Sequence, residues 1–158
     1  MLTRHSGWKV PPHYILLPIR AQAARPRVPQ SNPLTRLTVM KLPNPDHPIT
    51  ITPNPKRVRV SIDGLVIADT KHALTLKEAK YPPVQYVPRN DANLALMERT
   101  GRVTHCPYKG DANYFSIVAD GKTIENSIWT YETPFPAMAD IAGHLAFYPD
   151  KVRIEELA

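Results

Sequence analysis

From Ile49 onward, apolar and polar residues alternate in short runs that turn residues interrupt. The clearest pair of runs is residues 57–62 and 65–69, which only Asp63-Gly64 separates. Alternation with a period of two places every second side chain on one face, and Asp-Gly is a favoured two-residue hairpin turn. These residues therefore predict a β-hairpin with one buried face.

Further strands are expected where β-branched and aromatic residues recur between turn residues. Asp120-Gly121 repeats the Asp-Gly hairpin signal and joins the last two of these strands. The runs together predict a single, small, mainly β domain with a strongly curved antiparallel sheet. The five additional predicted strands are residues 73–76, 84–87, 103–106, 113–119 and 127–131.

One short helix is predicted after these first strands, because Asp91 can cap a helix start and Gly101 lies where a helix can end. A second helical turn is expected over residues 137–141, after two prolines and before a strand over residues 144–148. Both helices would pack on the sheet. The apolar stripe of the first helix consists of Leu94, Leu96 and Met97.

The net charge of +6 belongs to the first 39 residues rather than to the predicted domain. Those residues hold six of the 20 basic side chains and no acid, so the remaining 14 basic residues balance the 14 acidic ones. Nucleic-acid contacts are accordingly expected only as weak binding through residues 1–39. The six basic residues are Arg4, Lys9, Arg20, Arg25, Arg27 and Arg36.

Residues 1–39 also contain six of the 18 prolines, which leave no room for a long uninterrupted helix. We predict a disordered, Pro/Arg-rich extension over residues 1–39 and a folded domain over residues 40–158. Three interpretations of the extension stay open. It is a solvated segment without a role, an upstream stretch translated only if Met40 is not the true start, or a targeting or anion-binding arm.

A single cysteine cannot form an internal disulfide, and no apolar run approaches the roughly 18 to 20 residues of a membrane span. The sequence therefore predicts a soluble protein in a reducing compartment, the cytoplasm, with no membrane contact. No Cys-x-x-Cys, His-Glu-x-x-His or phosphate-loop motif occurs, and the six histidines are scattered. We expect neither a metal nor another cofactor.

Candidate chemistry centres on Cys106, with His105 and Lys109 nearby in sequence. Neighbouring positive charge lowers a thiol pKa and makes a nucleophile, which gives these three residues as catalytic candidates. In a strand, however, His105 and Cys106 point to opposite faces, so the base for Cys106 would come from elsewhere. The alternative is a buried structural cysteine.

Lys109 lies in a proline-led turn that can present its ammonium and nearby N–H groups to an anion, or it is a solvated surface charge. Arg89 can bind a carboxylate or phosphate, or it forms a salt bridge with Asp91 or Glu78. Tyr86 belongs to the same proline-stiffened segment as Arg89.

Trp129 and Tyr131 share one strand face, and Tyr114 is expected on the neighbouring hairpin strand. These rings predict either an aromatic pocket or an aromatic core. The candidate ligand-binding residues are Tyr86, Arg89, Trp129 and Tyr131.

Six segments together carry a family resemblance, and the most specific are the Cys-Pro-Tyr-Lys-Gly run at 106–110 and the Trp-x-Tyr-x-x-Pro run at 129–134. Over residues 40–156 the chain resembles a bacterial and fungal family, domain of unknown function 427. The other matching segments are residues 55–60, 64–70, 82–91 and 146–152.

The resemblance implies a small curved β-domain that is barrel-like or similar to the β-tent group. Tent proteins usually carry paired Cys-x-x-Cys zinc ligands, so one cysteine leaves at most a tent without zinc. The family also bears a nucleotidyltransferase-like label, which implies acidic side chains holding magnesium beside a Gly-Ser turn. This sequence has neither a Gly-Ser dipeptide nor an Asp-x-Asp pair.

Two functions from different classes follow. The first is a module that binds a small anionic molecule in a cleft formed by the four ligand-binding candidates with Cys106 and Lys109. The second is an enzyme on a small anionic or nucleotide-like substrate, with Cys106 as nucleophile or Lys109 as electrostatic stabiliser and His105 or Glu78 as acid or base. An interaction domain that binds through its extension is a third, and the oligomeric state stays open.

Overall fold

A computed structural model describes residues 39–158. That part of the chain contains ten strands and three short 3-10 helices at Arg89–Asp91, Leu94–Leu96 and Pro136–Ile141. The strands are β1 (Ile49–Pro53), β2 (Arg57–Ile62), β3 (Leu65–Thr70), β4 (Leu74–Glu78), β5 (Val84–Tyr86), β6 (Met97–Cys106), β7 (Gly110–Ala119), β8 (Lys122–Thr130), β9 (Leu145–Phe147) and β10 (Arg153–Leu157).

The strands form three antiparallel sheets with the orders β1-β4-β5, β10-β2-β3 and β6-β7-β8-β9. The prediction of a mainly β domain is confirmed, and the predicted strands all occur. The prediction of one strongly curved sheet, barrel-like or tent-like, is not supported, because the described strands divide among three sheets and none of these closes.

Both Asp-Gly hairpins are confirmed. Asp63 and Gly64 have φ values of 47° and 87°, and Asp120 and Gly121 have φ values of 50° and 72°. Positive φ at both central residues is the type I′ geometry, whose twist matches that of paired strands. The two turns thereby fix the register of β2 with β3 and of β7 with β8.

The predicted helix after Asp91 is wrong. Its apolar residues fall in a 3-10 turn and at the start of β6, where Met97 pairs with Ile117 of β7. Asp91 accepts a hydrogen bond from the Thr70 hydroxyl instead of capping a helix. Pairing with a neighbouring strand outweighed local helix propensity here. The second helical turn is confirmed as the 3-10 helix Pro136–Ile141.

The four-stranded sheet contributes to two hydrophobic cores, one on each face. Phe115 and Ile128 are register partners that pack in the first core, with strands β2, β3 and β10. Tyr114 and Trp129 are the adjacent register partners and belong to the second core, with strands β1, β4 and β5. Because successive strand residues point to opposite faces, the central sheet separates the two cores.

No helix within residues 39–158 combines the length and apolar character that a membrane crossing requires. The predicted extension lies outside the described residues except for Val39, so its disorder stays a prediction.

Candidate functional site

The turn between β6 and β7 points the Lys109 side chain into the domain. Cys106 and Gly110 are register partners at the end of the hairpin, and the Lys109 amide donates to the Cys106 carbonyl at 3.3 Å. Gly110 has a φ of 101°, a conformation that glycine adopts without strain. Lys109 is only 6% exposed, so the interpretation of it as a solvated surface charge is wrong.

Glu78 neutralises this buried lysine. Its Oε2 accepts a hydrogen bond from Lys109 Nζ, and its Oε1 lies 3.0 Å from His47 Nε2. The His47 ring stacks on Tyr108 with 4.2 Å between ring centroids. Burial alone would raise the pKa of Glu78, but the hydrogen bonds from Lys109 and His47 outweigh burial and lower it. The Glu78 carboxylate is therefore ionised at neutral pH and supplies a negative charge beside Lys109.

His105 and Cys106 lie on opposite faces, as the strand geometry predicted. His105 Nδ1 forms an exposed contact with Asp111 Oδ1 at 2.6 Å. Cys106 is partly buried and packs against the second core. His105 therefore has its own carboxylate partner on the side of β6 away from the thiol.

Tyr86 and Tyr131 are buried in the same core as Cys106. Burial raises the pKa of both phenols far above the ordinary value. The Tyr86 hydroxyl accepts a hydrogen bond from Trp129 Nε1 at 3.4 Å. For these two tyrosines the aromatic-core interpretation fits the burial.

Arg89 belongs to the other side of the central sheet. Its guanidinium lies over the Phe115 ring, 5.2 Å from the centroid, and Nη2 is 3.6 Å from Glu132 Oε1. Its ion-pair partner is thus Glu132 rather than Asp91 or Glu78. Glu132 is in turn bound by both terminal nitrogens of Arg99, which lowers the pKa of Glu132.

The six residues expected in one cleft are consequently divided. Cys106, Tyr86, Tyr131 and Trp129 meet in the second core, whereas Arg89 stacks on a ring of the first. Lys109 and Arg89 each have a separate carboxylate partner.

A cavity of about 520 Å³ lies beside Trp129 and is called the Trp129 cavity here. Aromatic, proline and aliphatic side chains form most of its wall, and Gln85 and Glu156 add polar groups. Of the residues proposed from sequence, only Trp129 lines it. The complete lining is Tyr81, Pro82, Pro83, Val84, Gln85, Trp129, Phe147, Pro149, Ile154 and Glu156.

Strand pairing stops beside the cavity. Val87 and Leu145 form an antiparallel bridge through two backbone hydrogen bonds of 2.8 Å, and no further bridge between these two segments follows in the described residues. In this register the next hydrogen-bonded pair would be Gln85 with Phe147, which do not pair, and the one after it would be Pro83 with Pro149. Because proline has no N–H to donate, the ladder could not extend through that second pair.

The Trp129 ring is held in place by two neighbouring tyrosines. Besides the hydrogen bond to Tyr86, it packs on Tyr148 with 4.6 Å between centroids. Burial and the nearby Tyr114 hydroxyl raise the pKa of Tyr148 to about 12. The Trp129 part of the cavity wall is therefore held by contacts with Tyr86 and Tyr148.

A second, larger depression of about 770 Å³ lies between the β2–β3 turn and residues 149–153. Its wall carries charges of both signs, and two of its arginines are in ion pairs: Arg153 with Glu155 at 2.8 Å and Arg59 with Asp69 at 2.9 Å. None of the sequence-proposed residues lines it.

The family model described as domain of unknown function (DUF427) matches residues 50–157. The chain belongs to the DUF427 family. No curated protein matches the chain in sequence. The match agrees with the resemblance inferred from the motifs and covers every strand except part of β1.

The short name of the DUF427 model, NTP_transf_9, refers to nucleotidyl transfer. Within residues 39–158 no three His, Cys, Asp or Glu side chains converge as a metal site would require.

Sequence reasoning missed most of the cavity wall in this DUF427 domain. The sequence predicts only a proline-stiffened extended segment before Arg89 and gives no site role to Tyr81, Pro149 or Glu156. The available signal is the pair of segments 81–83 and 147–149, each of which combines an aromatic residue with proline.

Proposed function

We propose that this DUF427 domain binds a small, largely apolar molecule in the Trp129 cavity. The observation that carries the proposal is the cavity itself, whose volume of about 520 Å³ falls within the range typical of small-molecule sites. Aromatic and proline surface with a few polar groups is also the usual lining of such sites.

The expected anion-binding role of Arg89 and Lys109 does not involve the Trp129 cavity, because neither residue lines it. Lys109 is hydrogen-bonded to Glu78. Arg89 Nε and Nη2 are buried without a hydrogen-bond partner among the described residues, and Glu132 Oε1, at 3.6 Å from Nη2, is beyond hydrogen-bond distance. An anion bound to Lys109 would have to displace a buried ion pair. We propose that the ligand binds through contact with aromatic side chains rather than through attraction to basic residues.

The restrained position of Trp129 favours binding, because little side-chain entropy remains to be lost. A probe with about ten non-hydrogen atoms that gains roughly 0.3 to 0.5 kcal/mol per atom would bind with a Kd on the order of 1 mM. At ten times that concentration the domain gains about 1.4 kcal/mol of stability, or roughly 4 °C in Tm.

The test is a thermal-unfolding titration of the full chain with indole and with 3-phenylpropanol. Ile154→Phe adds a ring inside the cavity, and Val103→Phe makes the same kind of enlargement at a residue that is 59% exposed on β6. We expect a Tm increase for the native chain and the Val103 variant that is lost in the Ile154 variant. No increase with either probe, or an increase that Ile154→Phe leaves intact, would overturn the proposal.

We propose an enzyme acting through Cys106 as the second candidate, on a small anionic or nucleotide-like substrate. The supporting observation is that Cys106 lies against the core that also holds Tyr86 and Tyr131. Iodoacetamide labelling at neutral pH tests it. Alkylation faster than that of free glutathione supports a catalytic thiol, and slower alkylation refutes it.

A further inference from the structure

We infer that the ligand of the Trp129 cavity is an organic cation, an ammonium group on an apolar body. This inference rests on the proposed function. It gives the ligand a positive charge, whereas the basic residues of the sequence motifs predicted a negatively charged ligand. The polar contribution to the cavity wall comes from β5 and β10, through Gln85 and Glu156.

Among the described residues, Glu156 is the only formally charged side chain in the cavity wall, and none of the lysines, arginines or histidines described belongs to it. An anionic ligand in the cavity would therefore meet a carboxylate rather than a cation, whereas an ammonium group would find an acceptor.

The Glu156 carboxylate is oriented by neighbours but keeps acceptor capacity. Its Oε1 accepts from Gln85 Nε2 at 3.0 Å and from Asn54 Nδ2 at 3.4 Å. Gln85 is itself held by Asn54 and by the Thr75 hydroxyl, at 2.9 and 2.8 Å. These contacts fix the carboxylate, and all of the donors approach one of its two oxygens.

The second oxygen, Oε2, has only Lys56 Nζ nearby, at 3.6 Å, which is longer than a hydrogen bond. The Lys56 side chain is 56% exposed, and exposed ion pairs of this kind contribute little. A ligand ammonium can therefore replace Lys56 at Oε2 at small cost.

Aromatic rings in the same wall favour a cation as well. Trp129, Tyr81 and Phe147 all line the cavity. The faces of aromatic rings attract ammonium groups, most strongly for tryptophan. A carboxylate together with several rings is thus complementary to an organic cation in both charge and polarisability.

The experiment compares three probes of nearly the same size: 3-phenylpropylamine, 3-phenylpropanol and 3-phenylpropanoate, titrated calorimetrically into the full chain at neutral pH. We expect the amine to bind at least tenfold more tightly than the alcohol, and the carboxylate to bind most weakly. Such a preference would run against the chain's net charge of +6, which attracts anions without specificity.

Glu156→Gln keeps an acceptor for Gln85 and removes the charge. Glu155→Gln is the matched control, because it changes the net charge equally, neighbours Glu156 and lies outside the cavity wall. We expect Glu156→Gln to bring the amine to the affinity of the alcohol and Glu155→Gln to leave the preference unchanged.

The outcomes separate this inference from the proposed function. Equal binding of all three probes, or tightest binding of the carboxylate, retains a ligand site and overturns the cation inference. An amine preference that both variants reduce equally also overturns it, because that preference would reflect overall charge. Absence of binding by all three probes overturns the proposed function and the inference together.

Discussion

Replacing Glu78 with glutamine should destabilise the domain by about 3 kcal/mol, since the change leaves the Lys109 ammonium buried without a counter-charge. The Glu78 and Lys109 side chains are only 17% and 8% exposed. Removing one partner of a buried ion pair typically costs 3 to 5 kcal/mol. We take the lower end because His47 still has a glutamine oxygen to contact.

The reverse change, Lys109→Met, should cost less, about 1 to 2 kcal/mol, because Glu78 keeps its contact with His47. In the double variant no buried charge is left at either position. Its stability should return to within about 1 kcal/mol of the native chain, since buried ion pairs rarely outperform apolar replacements. The coupling energy between the two positions is then of order 3 kcal/mol or more.

Urea unfolding at pH 7, followed by far-ultraviolet circular dichroism, measures these differences. For a slope near 1.5 kcal/mol per molar urea, a loss of 3 kcal/mol moves the midpoint by about 2 M. A midpoint shift below about 0.5 M for Glu78→Gln would refute the reasoning, because the lysine would then be solvated. Additive losses in the double variant would refute it as well.

Three further predictions follow from burial and backbone geometry. The pKa of Glu78 in the folded state lies below the ordinary value of 4.5, so the stability that its ionisation contributes is complete above pH 4.5 and is lost as pH falls through the folded pKa. The difference in urea midpoint between the native chain and Glu78→Gln should therefore shrink at about pH 3. An unchanged difference would exclude ionisation of Glu78 as the source of the stabilisation. Ala79 has a φ of 44°, so Ala79→Gly should raise stability by about 1 kcal/mol in thermal unfolding, whereas Ala142→Gly, at a φ of −53°, should not stabilise. Ile128→Ala should lower the free energy of unfolding by about 3 kcal/mol in the same measurement, because Ile128 is fully buried. The control Val103→Ala, at an exposed residue, should change it by no more than about 0.5 kcal/mol. Similar losses at both sites would contradict the placement of Ile128 in the core.

Local rules predicted the hairpins of this domain well. The Asp-Gly turns at Asp63 and Asp120 determine strand register from two residues, and alternation identifies the buried face. The helix after Asp91 failed because Met97 pairs with a residue 20 positions further along the chain. A capping residue and an apolar stripe are local signals, and they contain no information about strand pairing with a distant segment of the chain.

The candidate site was harder to predict, since the partners of its charged residues are distant in sequence. Lys109 pairs with Glu78 and Arg89 with Glu132, separations of 31 and 43 positions. A basic residue next to an aromatic motif suggests an anion-binding site, because the sequence does not show which carboxylate of the same chain lies beside that residue in the fold. Trp129, which the sequence places in an aromatic pocket or an aromatic core, lines the cavity, but most other wall residues belong to or adjoin β5, β9 and β10.

The fold and the proposed site meet where strand pairing stops. The segments that contain β5 and β9 are joined by the Val87–Leu145 bridge, and Pro83 and Pro149, which have no N–H to donate, lie beyond it. Aromatic side chains line the space beside this bridge, and a hydrogen bond to Tyr86 holds Trp129 there. Lys109 is buried against Glu78 and Arg89 lies outside the cavity wall, so the charge that a ligand meets in this wall is that of Glu156.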